Sequence, residues 1–144
     1  MKLQNISKIL KSNQNKAKLH IFNKGGAGFL ELKLVNDSTI KIFLEKRYVQ
    51  LLILSSDVIK KDSSLDEQER GWLTNEKVVD MYQDIEPMTV PPEPAAISAY
   101  RSHINSKIRK ASENKLPRSK PPILFISIRN LGFRLVSELE IIEH

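Results

Sequence analysis

Cysteine is absent from this chain, which removes disulfides and thiolate metal sites. Histidine is scarce: His20, His103 and His144 lie far apart and make no ligand spacing. No metal or other cofactor is expected. Long apolar runs are missing too. Nothing approaches the roughly 20 residues of a membrane span, and no apolar stretch follows Lys2 as a secretion signal would require. A membrane partner is not expected, and the cytoplasm is the expected location. Glycine-rich phosphate chemistry is excluded as well, because Gly25-Gly26-Ala27-Gly28 lacks the Lys-Ser/Thr of a P-loop and reads as a turn. There is no nucleophile–base constellation and no paired-acid motif, so the chain is not expected to be an enzyme.

The 144 residues present are one domain's length, enough to bury about two thirds of the unfolded surface. The net charge of +6 matters less than its distribution. Segments 1–61 and 95–136 carry +8 each, whereas 62–94 carries −7 and 137–144 carries −3. Basic blocks of this kind favour a polyanion through counterion release.

Periodicity supplies the elements. Leu3, Ile6, Ile9 and Leu10 sit at helical spacing and predict a short helix for packing or dimerisation. Leu19-His20-Ile21-Phe22 reads as a strand. Leu30, Leu32 and Leu34 alternate with charge in a second. Ile40 and Ile42 mark a third beyond the turn Asn36-Asp37-Ser38. Residues 44–59 switch to a helical period through Val49, Leu52 and Ile53. A polar loop covers 60–71, and a second helix starts at a Thr74 or Asn75 cap. Four prolines and three acids in 84–94 break any helix there. A third helix over 95–111 buries Ile97, Ile104, Ile108 and Ala111. It turns Ser102, Ser106, Arg109 and Lys110 outward, with His103 and Asn105 at the sides and Tyr100 and Arg101 flanking the apolar stripe. A basic loop, Ser112 to Pro122, leads to the run Ile126-Ser127-Ile128-Arg129-Asn130-Leu131-Gly132-Phe133-Arg134-Leu135, a strand, turn and strand.

The expected architecture is α+β: an N-terminal antiparallel sheet, a three-helix core and a C-terminal hairpin, together a winged helix-turn-helix. The order resembles the OmpR-type effector domain of bacterial response regulators over residues 19–136. Residues 1–18 are then an extension carrying the short helix, and 137–144 an acidic tail. Leu44 through Leu54 is similar to the family's first helix, Trp72 through Val79 to the start of its second, and Ile97 to Ile108 to its recognition helix in apolar spacing. Ile128-Arg129-Asn130-Leu131-Gly132-Phe133-Arg134-Leu135 resembles the wing, usually V-R-G-x-G-Y-R-L. Asn130 replaces the first wing glycine, and asparagine suits a left-handed turn. No receiver domain is expected within 144 residues.

The resemblance implies a sequence-specific binder of double-stranded DNA that regulates transcription. The third helix would enter the major groove, with Arg101 and Arg109 on guanine or phosphate and Asn105 on adenine, and with Ser102, His103 and Ser106 in close approach. Lys115, Arg118 and Lys120 would meet phosphates, and Arg129 and Asn130 the adjacent minor groove or backbone. Arg134 reads equally as a DNA contact or as a brace for the sheet. The acidic loop 84–94 stands where the family can touch RNA polymerase, or is a connector with no partner. Short DNA sites are usually read in pairs, so a homodimer is expected, with the N-terminal helix or Leu139, Ile141 and Ile142 as its surface. The alternative is a winged-helix protein-interaction module without nucleic acid.

Overall fold

In the computed structural model, residues 3–13, 15–22, 26–85, 90–116 and 120–144 are described. The fold is α+β: among the described residues there are four helices, a four-stranded sheet and a two-stranded hairpin. The chain runs through α1 (Leu3–Ser12), β1 (Ala17–Ile21), β2 (Gly28–Lys33), β3 (Thr39–Leu44), α2 (Lys46–Lys61), a 3-10 turn (Glu67–Glu69), α3 (Asn75–Ile85), α4 (Pro94–Lys115), β4 (Phe125–Ile128), β5 (Gly132–Leu135) and β6 (Glu140–Glu143).

Strict alternation makes the first three strands. Leu19, Leu30, Leu32, Ile40 and Ile42 all point to one face and are at most 5% exposed. Antiparallel ladders join β1 to β2 and β2 to β3. The β2–β3 turn closes with Asp37 at φ 66 and with the Asn36 side chain accepting from the Ser38 amide at 3.0 Å, as an Asx turn does. The inner face packs on α2 and α4, where Val49, Leu51, Leu52, Ile97 and Ile104 are fully covered. The two buried serines of α2 are satisfied: Ser55 donates to the Leu51 carbonyl at 2.8 Å and Ser56 Oγ accepts from the Leu139 amide at 3.0 Å.

The element order departs from the sequence expectation at the C-terminus. The acidic segment 137–144 contains a strand of the sheet. Leu139 is buried, a Lys60–Glu138 ion pair at 3.6 Å precedes the strand, and β6 adds to the sheet parallel to β1, giving the order β3-β2-β1-β6. Alternation explains it: Ile141 faces the core and Ile142 the outside, so this short run buries one side chain per pleat. The third helix also runs four residues past its expected end, to Lys115.

Of the side chains expected to form a dimer surface, several pack internally, whereas Ile142 faces outward. Ile6 and Leu10 of α1 are fully buried against Ile126 and Val136, and Leu139 and Ile141 belong to the main core. The short helix is therefore a packing element, and it lies over the hairpin.

Candidate nucleic-acid interface

The helix α4 has two chemically distinct sides. Pro94 sits in its first turn, where a missing amide costs nothing. Ile97, Ile104 and Ile108, spaced for one stripe, are at most 1% exposed. On the far side, Ser102, Asn105, Arg109 and Lys110 are exposed and Ser106 is partly so. Spacings of three and four residues bring Ser102, Asn105, Ser106 and Arg109 together on one surface. Glu113 is the sole acid anywhere in 95–136, so this stretch of the chain is positive.

Two residues expected to contact DNA have partners within the protein. Arg101 falls four residues after Ile97 and three before Ile104, which puts it beside the buried stripe rather than opposite it. Its guanidinium lies over the Phe133 ring of β5, 3.7 Å from the centroid. It donates to Asn75 Oδ1 at 2.8 Å and to Ser98 Oγ at 3.4 Å. Burial pushes its pKa below the ordinary arginine value. The side chain thus ties α4 to the hairpin and to the first residue of α3. His103 is exposed on one side, but its Nδ1 meets the Tyr48 hydroxyl at 2.7 Å and its ring stands edge-on to Tyr48. It fastens α4 to α2.

The hairpin closes through a three-residue loop, Arg129-Asn130-Leu131, all exposed. Asn130 adopts φ 72, the left-handed conformation expected of it, and the Leu131 amide donates to the Ile128 carbonyl at 3.0 Å. Leu73, just before α3, exchanges both backbone hydrogen bonds with Phe133, each 2.8 Å long. The hairpin therefore has a third, one-residue rung that comes from the start of the α3–α4 pair.

Arg134 proves to be a brace. It is 2% exposed and donates to the carbonyls of Leu135, Glu67 and Arg70 at 2.8, 2.7 and 2.6 Å. Its guanidinium also stands 5.9 Å from the Trp72 ring centroid. Burial lowers its pKa, with Glu67 acting in the opposite direction. This one side chain pins the 67–72 segment beneath the hairpin.

The remaining cations are scattered along the route to the hairpin. Lys115 is the last residue of α4 rather than part of a loop, and it is exposed, as is Lys120. Arg118 lies outside the described residues. Sequence reasoning overlooked two positioning groups, Asn75 and Tyr48. Asn75 looked like a helix cap, but Thr74 Oγ1 accepts from the Lys77 amide at 3.2 Å, which frees Asn75 to hold Arg101. Tyr48 looked like an apolar residue of the first helix, and nothing local marks its hydroxyl as a partner for a side chain 55 positions away.

Tyr82, on α3, donates to the Arg47 carbonyl at 2.7 Å. Burial, and next the neighbouring Tyr100, hold its phenol well above the usual tyrosine range. Together with Arg101 and His103 it locks the three helices α2, α3 and α4 to one another. Among the described residues no three His, Asp or Glu side chains converge on a metal position, and no helix is long and apolar enough to cross a membrane. No family model, curated protein or solved structure matches the chain.

Proposed function

We propose that this protein binds double-stranded DNA as a winged helix-turn-helix module and regulates transcription. In this reading α4 enters the major groove and the β4–β5 loop lies on the adjacent minor groove or backbone. The observation that carries it is the rigid join between the two parts. Arg101 stacks on Phe133, and Leu73 pairs with Phe133, so the polar side of α4 and the Arg129-Asn130 turn move as one body. Small side chains at Ser102 and Ser106 permit close approach to base edges. Asn105 and Arg109 have the geometry to pair with adenine and guanine. Arg129, Lys115 and Lys120 suit phosphates, which position the protein without reading sequence. Arg101 and His103 act from behind, setting the pose of the helix.

The acidic segment 84–94 fits a partner other than DNA, because Asp84 and Glu93 would be repelled by phosphate. RNA polymerase is the partner proposed for it, with the exposed Val90, 94% accessible, as the apolar contact.

The test starts from a random pool of duplex DNA, from which wild-type protein should enrich one motif. Arg109→Ala combined with Arg129→Ala should weaken binding to the selected duplex about 30-fold or more, at about 1–3 kcal/mol for a base contact. The slope of log affinity against log salt should become shallower by about one for each phosphate that the variant no longer neutralises. A double variant that titrates like wild type in a mobility-shift assay would remove this docking.

A further inference from the structure

No described residue covers the outer face of the four-stranded sheet, and it is not an ordinary solvated face. One cross-strand row reads Ile142, His20, Phe29, Phe43 from β6 to β3. Phe22 and His144 extend it at one end. His20 stacks on Phe29 at 4.2 Å with 10° between the rings, and Phe22 sits 5.6 Å from both Phe29 and His144. The His20 Nδ1 and His144 Nε2 atoms share a hydrogen bond of 2.9 Å. Despite this mutual packing, Phe43 remains 71% exposed and Phe22 45%. Contiguous exposed aromatic surface of this kind marks an interaction site.

The next row supplies the identity of the partner. From β6 to β3 it reads Glu140, Lys18, Glu31, Lys41. The signs alternate, so the row read backwards is its own complement. Consider two such sheets face to face, related by a two-fold axis that runs parallel to the strands between β1 and β2. The axis exchanges β6 with β3 and β1 with β2. Glu140 then meets Lys41 of the second copy and Lys18 meets Glu31, each pair occurring twice. In the aromatic row Ile142 meets Phe43 and His20 meets Phe29. A two-fold axis across the strands instead lays each strand on itself, and when it passes over this row it brings Glu140 to Glu140. Twisted sheets pack with strands crossed by about 30°, which long Lys and Glu side chains span. A nucleic acid is a poor fit, since Glu31 and Glu140 stand in the same row and repel phosphate.

We infer that this sheet face is the self-association surface of the protein, and that its occupant is a second copy packed through this two-fold axis, as isologous interfaces require. The association is weak. Four strands about 4.8 Å apart and about five residues deep give a footprint of roughly 300 Å² per copy, well below the roughly 800 Å² per partner of a stable complex. Such a pair forms at high protein concentration, or when two copies are held on one ligand.

Sedimentation equilibrium from low to several hundred micromolar tests this. The weight-average mass should climb from 16.5 kDa towards twice that value and no further. Lys41→Glu alone and Glu140→Lys alone should each weaken association at least about fivefold, because each places two pairs of like charges face to face. Mixing the two single variants should restore it, because in the mixed pair both facing pairs are again of opposite sign. Residues 41 and 140 lie on opposite edges of the sheet, so no interaction within one chain produces that rescue. A wild-type protein that stays monomeric throughout, single variants that associate like wild type, a mixture without rescue, or a mass that rises past the dimer would each overturn the inference.

Discussion

Replacing Gly132 by alanine will detach the hairpin from the helices and cost about 3 kcal/mol or more. Gly132 holds φ 105, a conformation that costs an L-residue of order 1–3 kcal/mol. A Cβ there would stand 2.1 Å from the Leu73 carbonyl oxygen and 2.9 Å from its carbon. Those are backbone atoms, and the oxygen is the one that accepts from the Phe133 amide. Relief requires Leu73 to move, which breaks both rungs to Phe133, each worth about 1 kcal/mol net. Against a total stability of about 5–15 kcal/mol, the melting temperature should fall by roughly 10 °C. Amide exchange should show Leu73 and Phe133 losing protection while β1–β3 keep theirs. Asn130→Gly is the matched control: its φ of 72 suits glycine at least as well, and its stability should stay within about 0.5 kcal/mol of wild type. Equal stability of the two variants would contradict the role given to the Leu73 rung.

Arg134→Met should be about as damaging, by a different route. The methionine fills part of the volume and removes the charge, but it ends the donations to the Glu67 and Arg70 carbonyls, leaving Glu67 only the Arg70 amide at 3.3 Å. Hydrogen bonds from a charged group are worth about 1.5–3 kcal/mol each, and two of them are lost. A loss of about 3–5 kcal/mol follows, seen as a shift in the denaturant midpoint. The 65–72 segment should loosen first, because Arg134 supplies two of its anchors. The others include the Trp72 Nε1 donation to the Gln68 carbonyl and that of the Gly71 amide to Asp62 Oδ2. Arg134→Lys should recover little, since one ammonium on a flexible stem cannot reproduce a planar fork set to three carbonyls. A midpoint shift worth less than about 1 kcal/mol for the methionine variant would contradict the bracing role.

These effects explain which parts of the molecule were legible in its sequence. Strands with one buried face write a period of two, and β1, β2 and β3 lie within two residues of the expected positions. The hairpin was legible because its turn chemistry is local: Asn130 and Gly132 take the positive φ that their residue types allow. β6 was not, because its partner is β1, over a hundred positions away, and a four-residue amphipathic strand has no signature apart from that partner. The α4 surface was legible where helical spacing alone decides, at Ser102, Asn105, Ser106 and Arg109. At Arg101 the spacing gave its place flanking the apolar stripe, but its partners Asn75 and Phe133 lie on other elements and left no mark in α4. At His103 the partner lies on another helix, and no pattern within α4 could reveal it.

The same division applies to function. Charge segregation identifies basic segments of the chain, and the structure adds that α4 and the hairpin are joined through Phe133. In the proposed docking, that join is what would let α4 and the hairpin meet two adjacent grooves together.

The most direct test is an NMR titration of isotopically labelled protein with a duplex enriched from the random pool. Amide shifts should concentrate at residues 102–110 of α4 and at 129–131, with Arg101 and Phe133 responding as the coupled layer beneath. Shifts confined to the outer sheet residues 18–43, or no saturable shifts with any duplex, would contradict the account.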